Sequence, residues 1–214
     1  MESLNVVPIR IKITSILRKA IYSGEYKSGQ ELSLTDIAAQ LGVSRTPVRE
    51  AFQALENDGL ITLRMNKGAI VNNIDAKFIN DHYEMRILLE SKAVLLASQN
   101  KMDVTNLLEK LYDIEKRITK VSKQEYEEIN QEIHFSIWQA SDNKKLISFL
   151  QDLWNGPSVK DDSKEAKKHY ELSTKEHIQI LEAIKEHKHK KASEIMADHI
   201  ARSRDNILSL IAKD

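Results

Sequence analysis

Three histidines and one asparagine are the residues of this chain best suited to hold a cation. Asn130 and His134 stand four apart, the spacing at which two side chains share one helical face. His177 lies about 12 residues before a turn near 189, and His199 about 10 after it. At about 1.5 Å rise per residue, two antiparallel helices joined by that turn carry His177 and His199 at nearly the same height. The four side chains can therefore converge inside a bundle. Neutral imidazoles suit Zn²⁺, Ni²⁺ or a similar divalent transition metal. Three histidines with open positions also accept an exchangeable oxygen ligand. The competing reading is ordinary: a histidine among apolar neighbours is commonly a hydrogen-bonded core residue.

Arg86 is the second chemical candidate. It sits in an otherwise apolar helical stripe near Tyr83 and Glu90. A guanidinium there can clamp a carboxylate or pair with Glu90, its i+4 neighbour. Arg202 and Asn206 follow His199 by about one and two turns and can line the same cavity. His82 and His169 have no evident partner and read as surface. Trp138 and Trp154 read as core or interface. A hydrolase with a three-histidine metal is chemically conceivable, but no carboxylate is poised as base, and Glu132 falls on another face from Asn130 and His134. The expectation is therefore not an enzyme.

The elements that would position these groups follow from periodicity. From Lys77 onward the pattern is helical. Phe78 to Leu95 mark one helix, Val104 to Ile118 a second, and Tyr126 to Trp138 a third. A fourth runs from Leu146 to Leu153 and stops at Asn155-Gly156-Pro157. Val159 to Lys168 is weakly patterned, a short helix or a loop. Two more helices run from about Glu171 to His187 and Lys191 to Ile211, around a solvated His-Lys turn. The boundary at 72–76 divides the chain into 1–74 and 75–214.

The first part has a different character. Ser33 can cap a helix that Asp36 favours, and Gly42 permits the turn that ends it. Ser44 opens a second helix at Arg45-Thr46-Pro47, where proline is tolerated. Val48, Ala51, Phe52 and Leu55 form its buried stripe, leaving Arg45, Thr46 and Arg49 on the outer face. Two strands, Leu60–Leu63 and Ala69–Val71, flank a basic tip with Arg64 and Lys67. This is the layout of a winged helix-turn-helix, whose second helix enters the major groove amino end first. Arginine suits guanine and lysine suits phosphate.

Charge limits the kind of binder. The 214 residues have net charge zero, with nine Lys/Arg against seven Asp/Glu in residues 1–74. An indiscriminate nucleic-acid coat would be far more basic, whereas a homodimer reading a palindromic operator needs only a few placed arginines. Six glycines and three prolines indicate a mostly helical chain. The absence of cysteine excludes disulfides and thiolate metal sites. No apolar run approaches a membrane span and no signal peptide is evident, so a cytoplasmic protein is expected.

The run SRTPVREAFQALENDGLI, at 44–61, closely resembles the signature of GntR-type transcriptional regulators, and the likeness extends from about Ile9 to Val71. It implies that Arg45, Thr46 and Arg49 contact operator DNA, with Asn66, Lys67 and Gly68 in the minor groove or on the backbone. Ser44, at the head of the same helix, and Arg64, in the basic tip, are DNA-binding candidates beside them. The second part resembles, more loosely, the all-helical FCD effector domain of the FadR branch. The similar stretches are YEMRILLE at 83–90, NQEIHFSIWQASDNKKL at 130–146, EHIQILEAI at 176–184 and MADHIARSRDNI at 196–207. That resemblance implies a metal on Asn130, His134, His177 and His199, with asparagine where aspartate is usual. It also implies an effector cavity containing Arg86. The expected fold is mainly α: a winged helix-turn-helix of three helices and a β-hairpin, then an antiparallel helical bundle. The expected function is a dimeric, carboxylate-responsive regulator, most simply a repressor. The alternative is a constitutive dimer with a structural metal.

Overall fold

A computed structural model describes residues 8–65, 67–154 and 164–211. The chain forms two compact units that divide between Phe78 and Ile79.

The first unit contains α1 (Ile9–Tyr22), β1 (Glu31–Leu32), α2 (Leu34–Leu41), α3 (Arg45–Asn57), β2 (Ile61–Arg64) and β3 (Gly68–Val71). Ser33 caps α2, its hydroxyl accepting from the Asp36 N–H at 3.3 Å. Gly42 ends α2 at φ 64°, and the Val43 N–H reaches back to the Ala38 carbonyl at 3.0 Å. These groups turn the chain sharply into α3, so the two helices share a core. Ser44 stands at the head of α3 as expected, but its side chain makes no capping hydrogen bond. Val48, Ala51, Phe52 and Leu55 are fully buried in one core with Ile13 and Leu17 of α1, Leu60 just before β2 and Ile61 of β2. Burying one such side chain contributes roughly 1.5–3 kcal/mol. Arg18 of α1 donates to Asp58 just past α3 and ties the two helices at their ends.

The wing has one strand more than a hairpin. The order is β1-β3-β2, both pairs antiparallel, with Glu31 opposite Ile70 and Arg64 opposite Gly68. Gly68 is set by this extra strand. It lies at φ +93°, and a Cβ there would meet the Leu32 carbonyl oxygen at 2.0 Å. Gly42 also has positive φ, yet a Cβ on it meets nothing within 4 Å. Gly42→Ala should thus cost only the backbone term, about 1–2 kcal/mol. Gly68→Ala should cost at least about 2 kcal/mol more, because β1 must leave β3 or the wing must shift. Denaturant unfolding of the full chain measures both. Equal losses would show that strand contact does not govern position 68.

The second unit is helical: α4 (Ala76–Gln99), α5 (Thr105–Lys116), α6 (Lys123–Ala140), α7 (Lys144–Trp154), α8 (Lys164–Lys185) and α9 (His189–Ile211), with a short 3-10 turn at Ile118–Lys120. Ser122 caps α6 by accepting from the Glu125 N–H. α8 and α9 pack as an antiparallel pair around Glu186–Lys188, where His187 adopts φ 56°. His189 has left the expected turn for the first position of α9, where its Nδ1 meets the Ser98 hydroxyl at 2.8 Å. The core is mainly aliphatic, with Val94, Leu111, Ile133, Ile137, Leu181 and Ile200 buried beside Met196 and Trp138. α8 begins at Lys164, seven residues ahead of the expected Glu171, so part of the weakly patterned stretch is helix. The stop at Asn155-Gly156-Pro157 lies outside the described residues. Among the described residues, no helix is long and apolar enough to cross a membrane.

Candidate functional site

On the first unit, the packing of Val48, Phe52 and Leu55 turns the opposite side of α3 outward. Ser44, Arg45, Thr46 and Arg49 are all exposed at its amino end. Neither Arg45 nor Arg49 is in an ion pair among the described residues. The wing differs. Arg64 donates to Glu31 at 2.9 Å across the sheet, so its charge is partly spent at home. Lys67 is exposed, and Met65 at the tip is 92 % exposed. Gly68 is buried, and the Leu32 contact alone accounts for a glycine there. Asn66 lies outside the described residues. The face thus offers unspent guanidiniums beside a helix amino end, where partial positive charge favours phosphate.

In the second unit, α6, α8 and α9 bring His134, His177 and His199 together, each almost wholly buried. One ligand atom from each lies within 4.8 Å of the others. His134 Nε2 and His177 Nε2 are 3.2 Å apart. Two nitrogens on one tetrahedral Zn²⁺, at about 2.0–2.1 Å each, would stand about 3.3 Å apart, so this pair of donors fits such an ion. Asn130 is half-buried one turn before His134 on α6. Among the described residues, no hydrogen bond joins it to the histidines.

Two carboxylates back this cluster. Glu90 of α4, fully buried, lies with Oε2 2.5 Å from His134 Nδ1. Glu176 of α8 lies with Oε2 2.7 Å from His199 Nδ1. Burial raises the Glu90 carboxyl, but the charges and hydrogen bonds of Arg86 and His134 outweigh it and hold Glu90 well below the usual range. Burial likewise raises Glu176, and His199 and Arg202 bring it down to about 2. Both are therefore ionised and can only accept, which puts a proton on Nδ1 of His134 and His199. Burial, reinforced by the neighbouring rings of His199 and His134, pushes His177 well below its ordinary value. Burial brings His199 to about 4, against the Glu176 hydrogen bond that raises it. These two imidazoles are thus neutral near pH 7, the form that ligates metals.

The expected effector residues are present but engaged. Arg86 donates to Glu90 Oε1 from Nε at 2.9 Å and Nη2 at 2.6 Å. Its guanidinium also lies over the rings of Tyr83 and Trp154, at 5.3 and 5.5 Å. Arg202 grips Glu176 with Nε–Oε1 at 2.6 Å and Nη2–Oε2 at 2.5 Å. Arg202 Nη1 and Asn206 Nδ2 each donate to His169 Nδ1 at 2.9 Å. His169 is therefore no surface residue. It is half-buried, and burial and the Arg202 charge bring it to about 4. Trp138 and Trp154 stand edge to face beside His134. Glu132 is exposed and paired with Lys110 at 2.6 Å, so it cannot serve the histidines as a base.

Sequence reasoning did not single out Glu176 and saw Glu90 only as a partner for Arg86. Glu176 had one signal, its place beside His177. Which helix it would face depends on how α8 and α9 rotate against each other.

Comparison with known proteins agrees with both units. The pattern described as "Bacterial regulatory proteins, gntR family" matches residues 11–71, and that described as "FCD domain" matches residues 81–202. The Nta operon transcriptional regulator of Aminobacter aminovorans is 28 % identical over 194 residues, covering 88 % of this chain and 90 % of that protein. The gluconate operon transcriptional repressor of Bacillus subtilis (strain 168) is 33 % identical over 149 residues, covering 68 % of this chain and 58 % of that one. The solved structure of E. coli McbR/YncC superposes with a TM-score of 0.67 at 21 % identity, covering 96 % of this chain and all of that one. At that identity the likeness is one of fold. These families and relatives are transcriptional regulators rather than enzymes. The chain belongs to the gntR family of bacterial regulatory proteins, with an FCD domain as its second half, and is a DNA-binding transcriptional regulator.

Proposed function

We propose that the protein is a repressor whose hold on DNA responds to a small carboxylate metabolite. It acts as a homodimer on a palindromic operator. Each copy offers Ser44, Arg45, Thr46 and Arg49 to one half-site, with Arg64, Asn66, Lys67 and Gly68 of the wing at the minor groove or backbone. His134, His177 and His199, with Asn130 as a neutral fourth donor, hold a divalent transition metal, zinc or nickel. Such an ion supplies a Lewis-acidic centre for an exchangeable oxygen ligand. The carboxylate sits against it, with Arg86, Arg202 and Asn206 shaping the walls. The ligand changes operator affinity only if it binds the DNA-competent and DNA-incompetent arrangements of the dimer unequally.

The observation that carries this reading is the cluster of three buried imidazoles within 4.8 Å, two of them with Nδ1 already committed to carboxylates. Burying so many polar rings without a ligand would be costly. Elemental analysis with native mass spectrometry of the purified protein tests it. The expected species has twice the 24.5 kDa chain mass and one zinc or nickel per chain. A metal-free monomer that takes up neither ion on titration would sink the reading.

One observation favours a narrower alternative. Arg86 and Arg202 are both spent on internal glutamates, as in a constitutive DNA-binding dimer with a structural metal. Operator affinity unchanged across a panel of mono-, di- and tricarboxylates would select that version.

A further inference from the structure

We propose that Glu90 and Glu176 are positioning residues that fix the tautomers of His134 and His199, and that Arg86 and Arg202 hold the two glutamates in place. The affinity arm of the test rests on the metal reading above; the tautomer arm does not.

The two arrangements are built alike from unrelated segments. On one side, Arg86 and Glu90 of α4 lead to His134 of α6. On the other, Arg202 of α9 and Glu176 of α8 lead to His199 of α9. Each sequence is guanidinium, carboxylate, imidazole Nδ1. A carboxylate present only to neutralise a buried arginine would have no need of the ring beyond it. Glu90 instead divides its oxygens, Oε1 to Arg86 and Oε2 to His134. Glu176 uses both oxygens on Arg202 and shares Oε2 with His199.

The chemical effect is specific. A neutral imidazole can carry its proton on either nitrogen, and only the Nδ1–H form leaves the Nε2 lone pair free. An ionised carboxylate on Nδ1 selects that form, orients the ring and makes Nε2 more basic. His177 is different. Among the described residues no carboxylate meets its Nδ1, and its recorded polar contact is Nε2 with His134 Nε2 at 3.2 Å. With His134 accepting at Nε2, His177 must donate from its own Nε2 in the metal-free chain. Two rings are therefore preset for an ion, and the third must move its proton to Nδ1.

Nitrogen-15 NMR of the histidine rings in the full-length, chelator-stripped protein tests the tautomers. His134 and His199 should show Nδ1–H and His177 should show Nε2–H. In Glu176→Ala, His199 should become a tautomer mixture, and zinc affinity measured by chelator competition should fall about 10–100-fold. Glu176→Gln should fall less, because an amide oxygen still accepts from Nδ1 without the charge. Glu90→Gln should act the same way on His134, but it strands a buried arginine and can fail to fold. Glu176, half-buried, keeps the idea testable on its own. Nε2–H on His134 and His199 in the unsubstituted protein would overturn the proposal. So would zinc affinity within twofold in Glu176→Ala. Absence of zinc binding in the unsubstituted protein would count against the metal reading, and the tautomer pattern would still decide this one.

Discussion

Replacing Arg45 and Arg49 together by alanine should weaken operator binding by on the order of a thousandfold or more, while the melting temperature stays within about 2 °C. The first number follows from contact counting. A well-placed arginine on a base edge contributes roughly 1–3 kcal/mol, and a dimer on a palindrome loses two such side chains per half-site. The second follows from position. Both side chains are exposed on the outer face of α3, outside the Val48–Phe52–Leu55 stripe, with no ion pair among the described residues. Surface changes of that kind usually shift stability by less than about 0.5 kcal/mol. Titration of a duplex selected from a random pool by the unsubstituted protein measures the first effect, and a thermal melt measures the second. Affinity within threefold of the unsubstituted protein would remove α3 from the DNA interface. Arg64→Ala should cost far less, because Glu31 already takes part of its charge.

The other large effect belongs to the histidine cluster. His177→Ala should lower zinc or nickel affinity by more than about a hundredfold, beyond the usual cost of losing an outer partner of a ligand. His177 is buried at the centre of the group, its ring 5.1 Å from that of His134 and 4.5 Å from that of His199. Asn130→Ala should lower affinity only several-fold, because a half-buried neutral amide is a weak donor. Asn130→Asp should raise affinity by adding a negative charge one turn from His134. Competition with a calibrated chelator ranks the three variants, and circular dichroism checks that each is folded. Full ion occupancy in His177→Ala would move the site elsewhere.

What could be read from the chain alone depended on the range of each interaction. The Ser33 cap, the Gly42 turn and the α3 stripe are decided within a few residues, so the helix-turn-helix was legible. β1 was not. Two residues, Glu31 and Leu32, have no period, and only their pairing with Ile70 and Ala69 makes them a strand. The early start of α8 stays open between helix and loop in the sequence, because Lys164 to Lys168 offers no apolar stripe to mark it. The meeting of His177 with His199 could be anticipated, since a short turn between antiparallel helices converts sequence distance into height. Glu176 facing His199 could not, because that depends on helix rotation about the axis. His169 was misjudged for the same reason, as its partners Arg202 and Asn206 sit more than thirty residues away on α9.

The paired arginines and glutamates have a consequence for how two ligands would bind. Arg86 with Glu90 and Arg202 with Glu176 cancel in charge, and His177 and His199 are neutral near pH 7. The wall of the site thus supplies little anionic compensation for a divalent cation, unlike a site whose fourth donor is aspartate. On the proposed reading, the missing negative charge comes from the metabolite itself. Cation and acid then bind as a linked pair, each raising the affinity of the other by the same factor. A cell short of the metal would read as a cell short of the acid, so the regulator would respond to the product of two concentrations rather than to either alone.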